Sequence, residues 1–190
     1  MLETIDAFFL DEPLFIPKFI SLVLSTLGNI KLHLVGLSAL FSWDYLRKKP
    51  MDEKRSWLLI NLFCVFCIFY LLKISVLRVR PFETFPLDFQ LSFWQRCTLD
   101  ALHSFPSSHA AVSAVYLLHL RKSIIIKCLA FFVSSERILN HRHHFSDVLA
   151  GFLLALLIVW LLEWKKEEIL TKIKKGKFYQ LTLMKKYLNR

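Results

Sequence analysis

Long apolar runs broken by short charged segments constrain this sequence more than any other feature. Residues 57–72 contain no charged side chain, and residues 148–164 contain a single glutamate. Hydrophobic residues make up 55% of the 190, and the mean hydropathy is +0.46. A soluble domain of this length rarely reaches that hydropathy, whereas apolar runs of about 20 residues are typical of helices that cross a membrane. The sequence therefore predicts an all-α, polytopic membrane helix bundle.

The order of apolar and polar segments predicts five transmembrane spans, with six as the alternative. The five spans are residues 30–46, 57–72, 107–120, 123–137 and 146–164. Residues 1–27 mix acidic residues and prolines with aromatic residues, a pattern that favours an interfacial segment lying along the membrane. Residues 1–164 are thus predicted to form one membrane-integral domain. Residues 165–190 are predicted to form a basic, amphipathic cytoplasmic tail.

Lysine and arginine are divided unequally between the two sides of this topology. The richer side receives nine basic residues after Trp164, together with Arg47, Lys48, Lys49, Lys54, Arg55, Arg121 and Lys122. Cytoplasmic loops carry the excess of positive charge, so this side is predicted to be cytoplasmic and to hold the C-terminus. With five spans, the N-terminus then lies outside.

The formal net charge of +10 would point to nucleic acid as a partner if the protein were soluble. Here the charges lie between and after apolar runs, which favours anionic lipids of the inner leaflet as partners of the tail. No nucleic-acid partner is predicted, and nothing in the sequence indicates an oligomeric state.

The four cysteines do not resemble a disulfide framework. Cys64 and Cys67 lie within an apolar run, where a helix places them on one face. The spacing favours small packing residues over a metal or redox pair. No cofactor is predicted.

Residues 137–147 form a polar, basic segment between two apolar runs, and ionisable groups at such a depth are candidates for function. His143 and Asp147 are four residues apart, so a helix would place them on one face. The carboxylate would then accept a hydrogen bond from one imidazole nitrogen and leave the other nitrogen to act as a nucleophile or base. Arg137 supplies a planar fork that fits two phosphate oxygens. The alternative is a metal site formed by His141, His143 and His144.

Two other polar segments border the predicted spans. Lys73 and Arg80 are seven residues apart, so a helix continuing to Pro81 would place both on one face, where they would bracket a phosphate. The alternative is that these cations contact lipid headgroups. Ser107 and Ser108 open the third span, where free backbone N–H groups bind anions. The alternative there is a pair of capping serines.

Together the three segments read K-x6-R-P, P-S-x-H and R-x5-H-x3-D, in that order and on one predicted membrane face. They resemble the type 2 phosphatidic acid phosphatase (PAP2) superfamily of membrane lipid phosphatases. Two positions depart from the pattern of that family. Ser108 stands where the second motif usually has Gly, and Glu136 stands where the third motif usually has Ser.

The resemblance implies a role for each matching residue. His143 would attack phosphorus and form a phosphohistidine, Asp147 would hold His143, and His109 would protonate the leaving oxygen. The residues that would hold the phosphoryl oxygens are Lys73, Arg80, Ser107, Ser108 and Arg137. Arg78 completes an Arg-x-Arg-Pro pattern and would contact either phosphate or a lipid headgroup. Apart from the resemblance, Lys31 and His33 lie at the start of the first span, where they either contact a headgroup or serve as snorkelling or capping residues. Three cations would do what Mg²⁺ does in other phosphoryl transfers, so no metal requirement is expected.

The predicted function is metal-independent hydrolysis of a lipid phosphate or diphosphate at the outer face of a bacterial inner membrane. The candidate substrates are phosphatidylglycerol phosphate, phosphatidic acid, undecaprenyl diphosphate and a lipid A phosphate. One alternative is transfer of the phosphoryl group to another lipid. The other alternative is a membrane protein that binds headgroups without catalysis, although binding alone does not require an oriented imidazole.

Overall fold

The computed structural model describes residues 17–47, 52–81 and 91–175, and these residues fold into helices with no β-strand among them. The helices are α1 (Lys18–Leu27), α2 (Ile30–Leu46), α3 (Glu53–Val76), α4 (Phe93–Thr98), α5 (Ser108–His119), α6 (Ile124–Leu139), α7 (Phe145–Trp164) and α8 (Lys166–Lys175). A short 3₁₀ turn, Asp100–Leu102, lies between α4 and α5. The prediction of an all-α fold is confirmed.

Two of these helices, α3 and α7, are long and apolar enough to cross a membrane. The helix α1 and the Ile30–Leu40 part of α2 meet at an angle of 54° and count as a third span if they are taken together. The predicted third span corresponds to α5, whose 12 residues reach only about 18 Å, against a hydrocarbon core of about 30 Å. The predicted count of five spans is therefore not confirmed.

The helix α5 forms the centre of the bundle, because four other helices pack against it. Its small side chains let α6 and α7 approach closely, and it also contacts α2 and α3. The side chains of six consecutive residues, from Ala110 to Val115, are buried. They join a core that includes Leu62 and Phe69 of α3 and Ala155 and Val159 of α7.

Gly151 allows α7 to lie directly against the start of α5. A Cβ atom at this position would come within 2.5 Å of the Ser107 carbonyl oxygen, so no larger residue fits without moving the backbone. One turn earlier on α7, the carbonyl oxygen of Asp147 accepts a hydrogen bond of 3.0 Å from the Ser107 N–H. These contacts bring the N-terminal ends of the two helices together.

The outer surface of the bundle is apolar. Large side chains on several helices are more than half exposed, among them Phe63, Phe131, Phe132, Trp160 and Trp164. An apolar surface of this extent is unfavourable in water and fits contact with lipid chains.

The amphipathic helix α1 rests on the side of the bundle with no buried side chain of its own. It packs against α6 and bends into α2 at Gly28, where an added Cβ would lie 2.4 Å from the His109 ring. Most of the predicted interfacial segment, residues 1–16, lies outside the described residues. The predicted basic tail begins as α8, in which Leu170 is buried, and residues 176–190 lie outside the described part.

Candidate active site

The three predicted polar segments meet at one end of the bundle, around a cavity of about 1020 Å³. The C-terminal ends of α3 and α6 and the N-terminal ends of α5 and α7 face this end, since consecutive helices alternate in direction. Six of the predicted catalytic and phosphate-binding residues line the cavity: Lys73, Arg80, Ser108, His109, Arg137 and His143. Ser107 and Asp147 are fully buried and do not line it.

His143 is held in one orientation by a backbone carbonyl. Its Nδ1 lies 2.6 Å from the carbonyl oxygen of Ser104, so Nδ1 carries the proton and donates it. The other ring nitrogen, Nε2, then has a free lone pair. Burial lowers the pKa of His143 to about 4, the charges of Lys73 and Arg80 also lower it, and Asp147 opposes the shift. The imidazole is therefore neutral at pH 7, as a nucleophile requires.

The predicted direct hydrogen bond between Asp147 and His143 is not formed. The distance from His143 Nδ1 to Asp147 Oδ2 is 3.9 Å, which is too long for a hydrogen bond. Oδ2 instead accepts hydrogen bonds from the Ser104 hydroxyl at 2.5 Å and from the His144 N–H at 3.0 Å. Asp147 is the third residue of α7, and its carboxylate turns back to cap the helix at the His144 N–H.

Ser104 connects Asp147 to His143, a role that the sequence analysis did not assign. Its hydroxyl donates to the carboxylate while its carbonyl accepts from the imidazole, and the residue is completely buried. Asp147 thus acts on His143 through Ser104. No spacing rule singles out Ser104, because its position opposite α7 depends on the tertiary fold.

Arg78, which was predicted as a possible headgroup contact, binds the carboxylate of Asp147 in this structure. Its Nη1 donates to Asp147 Oδ1 at 2.6 Å and to the Ser146 hydroxyl at 2.7 Å. The buried carboxylate of Asp147 is therefore paired with a cation, as burial of a charge requires. The sequence indicates that Arg78 belongs to the site, since Arg78 precedes Arg80 and Pro81 in an Arg-x-Arg-Pro pattern.

The helix that carries Lys73 ends earlier than predicted. It stops at Val76, and Leu77 adopts a left-handed conformation with φ of 50°. The prediction of one helical face for Lys73 and Arg80 is therefore wrong, although both residues line the cavity. Lys73 Nζ donates to the carbonyl of His103 at 2.6 Å, which fixes the ammonium group at the cavity wall.

Arg80 is fixed by Asp100, another residue that the sequence analysis did not identify. The Nε atom of Arg80 donates to the Asp100 carbonyl and its Nη2 donates to the Asp100 carboxylate, both at 2.9 Å. Nη1 donates to the Arg142 carbonyl at 3.1 Å. These contacts hold the guanidinium of an otherwise flexible side chain in place, which lowers the entropy lost when an anion binds.

The start of α5 combines a structural serine with two residues that line the cavity. Ser107 is the N-cap of α5. Its hydroxyl accepts a hydrogen bond from the Ala110 N–H at 3.5 Å, and its own N–H donates to the Asp147 carbonyl oxygen. Ser107 was predicted to hold a phosphoryl oxygen, but it is fully buried and does not line the cavity. The backbone N–H groups of Ser108 and His109 are the first of the helix and have no acceptor within it. His109 Nε2 donates to the Ser25 carbonyl of α1 at 3.0 Å.

Arg137 reaches the cavity next to a buried carboxylate. Glu136 is 1% exposed and Arg137 is 5% exposed. The Nε and Nη2 atoms of Arg137 both contact Glu136 Oε2. The other carboxylate oxygen, Oε1, accepts hydrogen bonds from the Ser21 hydroxyl at 2.8 Å and from Asn140 Nδ2 at 2.7 Å.

The two other residues predicted to contact a headgroup differ from each other. Lys31 is exposed and lines the cavity. His33 does not line it, because Nε2 donates to the Leu27 carbonyl at 2.6 Å and Nδ1 accepts from the Tyr116 hydroxyl at 3.0 Å. Both of its ring nitrogens therefore serve the packing of α2.

The histidines next to His143 do not form a metal-binding group with it. Within residues 17–47, 52–81 and 91–175, no three or more His, Cys, Asp or Glu side chains converge as metal ligands would. His144 Nε2 lies 3.2 Å from the Val79 carbonyl, on the side that connects α7 to the segment before Arg80. The alternative of a site made by His141, His143 and His144 has no support in this geometry.

Comparison with known proteins identifies one family. The family model of the PAP2 superfamily matches residues 54–168, which include every motif residue from Lys73 to Asp147. No solved structure matches the chain.

Proposed function

Since the chain belongs to the PAP2 superfamily, whose members are phosphatases that hydrolyse phosphate esters, we propose that it is a metal-independent phosphatase of a membrane lipid. The substrate is a lipid phosphate or diphosphate, and the reaction passes through a phosphohistidine on His143. One observation supports this most directly. A neutral imidazole, locked through Nδ1, lines the same cavity as Lys73, Arg80 and Arg137.

In the first step, His143 Nε2 attacks phosphorus and the bond from phosphorus to the ester oxygen breaks. The leaving oxygen takes a proton from the imidazolium form of His109, which becomes neutral. A monophosphate substrate then departs as the lipid alcohol, and a diphosphate substrate departs as the lipid monophosphate. The phosphorylated imidazole keeps its Nδ1 proton and gains a positive charge. The Ser104 carbonyl at 2.6 Å and the Asp147 carboxylate at 3.9 Å stabilise that charge.

In the second step, water attacks the phosphohistidine. His109, now a neutral imidazole, takes one proton from this water, and the bond from phosphorus to Nε2 breaks. Inorganic phosphate leaves, and His143 and His109 return to their initial states. Lys73, Arg80 and Arg137 neutralise the phosphoryl oxygens in both steps, which is the main demand of phosphoryl transfer. The N–H groups of Ser108 and His109 add two further donors.

The cavity also has a wall that suits a lipid chain. Leu22, Ile30, Phe66 and Tyr70 line it beside the polar residues. A phosphate group would enter the polar part while the acyl or prenyl chain stays against this wall and the surrounding bilayer. The exposed Lys31 at the rim would contact the rest of the headgroup.

The basic residues indicate how the protein is placed in the membrane. The end of the bundle opposite the cavity carries Lys54, Arg55, Lys165 and Lys166, so by the distribution of charge it faces the cytoplasm. The site then faces the periplasm or exterior of a bacterial inner membrane. The amphipathic α8 lies on the cytoplasmic leaflet, where its lysines contact anionic lipids.

The test is phosphate release from four lipids in the presence of EDTA. The purified protein is given phosphatidylglycerol phosphate, phosphatidic acid, undecaprenyl diphosphate and a lipid A phosphate in turn. We expect release from at least one of them, its loss in His143→Ala, and its retention in His119→Ala, a matched change at the far end of α5. A phosphorylated acceptor without free phosphate would indicate a transferase instead. No turnover of any lipid would contradict a catalytic function.

A further inference from the structure

Glu136 is a buried carboxylate directly behind Arg137, Ser21 and Asn140, three residues that line the cavity. It directly precedes Arg137, where the PAP2 motif usually has Ser, and it is 1% exposed. A negative charge at this place repels the phosphate group that Arg137 attracts. Burial of a carboxylate is also unfavourable unless it is fully paired. Its contacts therefore need a functional explanation.

The contacts of Glu136 use both of its oxygens. Oε2 contacts Nε and Nη2 of Arg137, and Oε1 accepts hydrogen bonds from Ser21 of α1 and Asn140. Asn140 Nδ2 also donates to the Ser21 hydroxyl at 2.6 Å. The carboxylate is thus pinned in place and cannot turn away when an anion enters the cavity.

The Glu136 carboxylate occupies one of the two hydrogen-bonding edges of the Arg137 guanidinium. The Nε and Nη2 atoms form one of the two edges through which arginine makes paired hydrogen bonds with phosphate oxygens. Because that edge contacts Glu136, Arg137 has only its remaining N–H groups with which to donate hydrogen bonds to the substrate. The negative charge of Glu136 also offsets much of the positive charge of Arg137 at the phosphoryl position.

We propose that Glu136 lowers the affinity of the site for phosphate by weakening the interaction of Arg137 with it. Glu136 thereby favours the release of inorganic phosphate, the product. This inference rests on the proposed function, because it assigns Glu136 to the same anion site. The alternative is that Glu136 only holds Arg137 in place. The two roles predict opposite signs: removing the charge tightens phosphate binding in the first and weakens it in the second.

The experiment compares the full-length wild type with Glu136→Gln, Glu136→Ser and the control Glu168→Gln. Glutamine keeps the shape and hydrogen-bonding capacity of Glu136 without the charge, and serine restores the usual residue of the motif. Glu168 is exposed on α8 and pairs with Lys172 and Lys165. The readouts are kcat, KM and the inhibition constants of inorganic phosphate and vanadate in lipid hydrolysis.

We expect the inhibition constant of phosphate to fall about tenfold in Glu136→Gln, which is the order of effect that one neighbouring charge has on another in a protein. It falls also in Glu136→Ser, which decides the question if the glutamine variant does not fold. Product release becomes slower, so kcat falls together with KM. The control keeps wild-type values.

An unchanged or higher inhibition constant in both variants would overturn the inference while leaving the proposed function intact. If the proposed function itself is wrong, the wild type will turn over no lipid, and this result separates the two kinds of failure. Phosphate binding is in that case measured directly by calorimetry on the same four proteins. Tighter binding in the Glu136 variants supports the inference, and equal or weaker binding contradicts it.

Discussion

The orientation of His143 depends on three residues in series. Asp147 binds the Ser104 hydroxyl, Ser104 offers its carbonyl to His143, and Arg78 neutralises Asp147. The R-x5-H-x3-D spacing identifies the two ends of this chain of contacts but not its middle. Ser104 and Arg78 reach the site from other segments, and sequence spacing gives no information on contacts between segments.

Asp147→Asn should lower kcat by about 10- to 100-fold with little change in KM, which is the usual effect of an indirect partner. The amide still fills the space but cannot neutralise Arg78 or stabilise the phosphorylated imidazole. Steady-state kinetics of lipid hydrolysis measure both constants. Ser104→Ala keeps the carbonyl that binds His143, so we expect a smaller loss of kcat. Equal effects on kcat and on KM would mean that Asp147 only maintains the fold.

The lowered pKa of His143 makes the stability of the protein depend on pH. Between about 6.5, the ordinary pKa, and about 4, the pKa in the folded protein, the unfolded chain binds a proton that the folded chain does not. Stability therefore falls as the pH is lowered through this range, by about 2 kcal/mol at pH 5. Above pH 6.5 the residue makes no such contribution.

The measurement is the thermal unfolding of wild type and His143→Gln at pH 7.5 and pH 5. Glutamine donates to the Ser104 carbonyl but does not titrate. The wild type should lose more stability between the two pH values than the variant does. Histidines that do not interact with His143 affect both proteins equally and cancel in this comparison. Identical losses would show that His143 titrates normally.

At the scale of the helices, hydropathy predicted where a helix begins and ends if polar residues border its apolar run. The predicted span 30–46 coincides with α2, and the predicted 107–120 differs from α5 by one residue at each end. The predicted 57–72 is shorter than α3 at both ends. The charged residues from Glu53 to Arg55 form the first turn of the helix under an Asp52 cap, and the helix continues past Lys73 to Val76. A charged turn belongs to the helix although it lies outside the apolar run.

The contact of α7 with α5 is the element on which the site depends most. Gly151→Ala would push the two helices apart at Ser107, since the new Cβ lies 2.5 Å from a carbonyl oxygen. We expect destabilisation of about 1–3 kcal/mol, the usual effect of overpacking, and a loss of kcat because Asp147 moves with α7. Thermal unfolding and hydrolysis rates measure the two effects.

Gly36→Ala is the matched control, because a Cβ at Gly36 of α2 meets no atom within 4 Å. Alanine favours helix over glycine, so this variant should be at least as stable as the wild type and equally active. If the two glycine variants behaved alike, the close approach at Gly151 would not be what positions the site.

For the whole molecule, charge and hydropathy predicted an all-helical bundle with its polar segments at one end, and the described helices have that arrangement. The number of spans was less predictable. The helix α5 is buried by neighbours and is short, so its apolar composition reflects contact with protein and not the thickness of a bilayer. Hydropathy alone does not separate these two causes.

The proposed orientation predicts a cytoplasmic C-terminus. A reporter that fluoresces only in the cytoplasm, fused after Arg190, should be fluorescent in a bacterial host. Alkaline phosphatase, which is active only outside the cytoplasm, should be inactive at the same position. The reverse pair of results would place the catalytic end on the cytoplasmic side.

The most direct test of catalysis by His143 is to trap the phosphorylated enzyme. The protein is mixed with a lipid carrying a labelled phosphate, quenched in base within the first turnover, and digested for mass spectrometry. We predict a phosphate on the peptide that contains His143, stable in base and labile in acid, and absent from His143→Ala. Rapid turnover with no phosphorylated peptide, or with phosphate on another residue, would contradict His143 as the nucleophile.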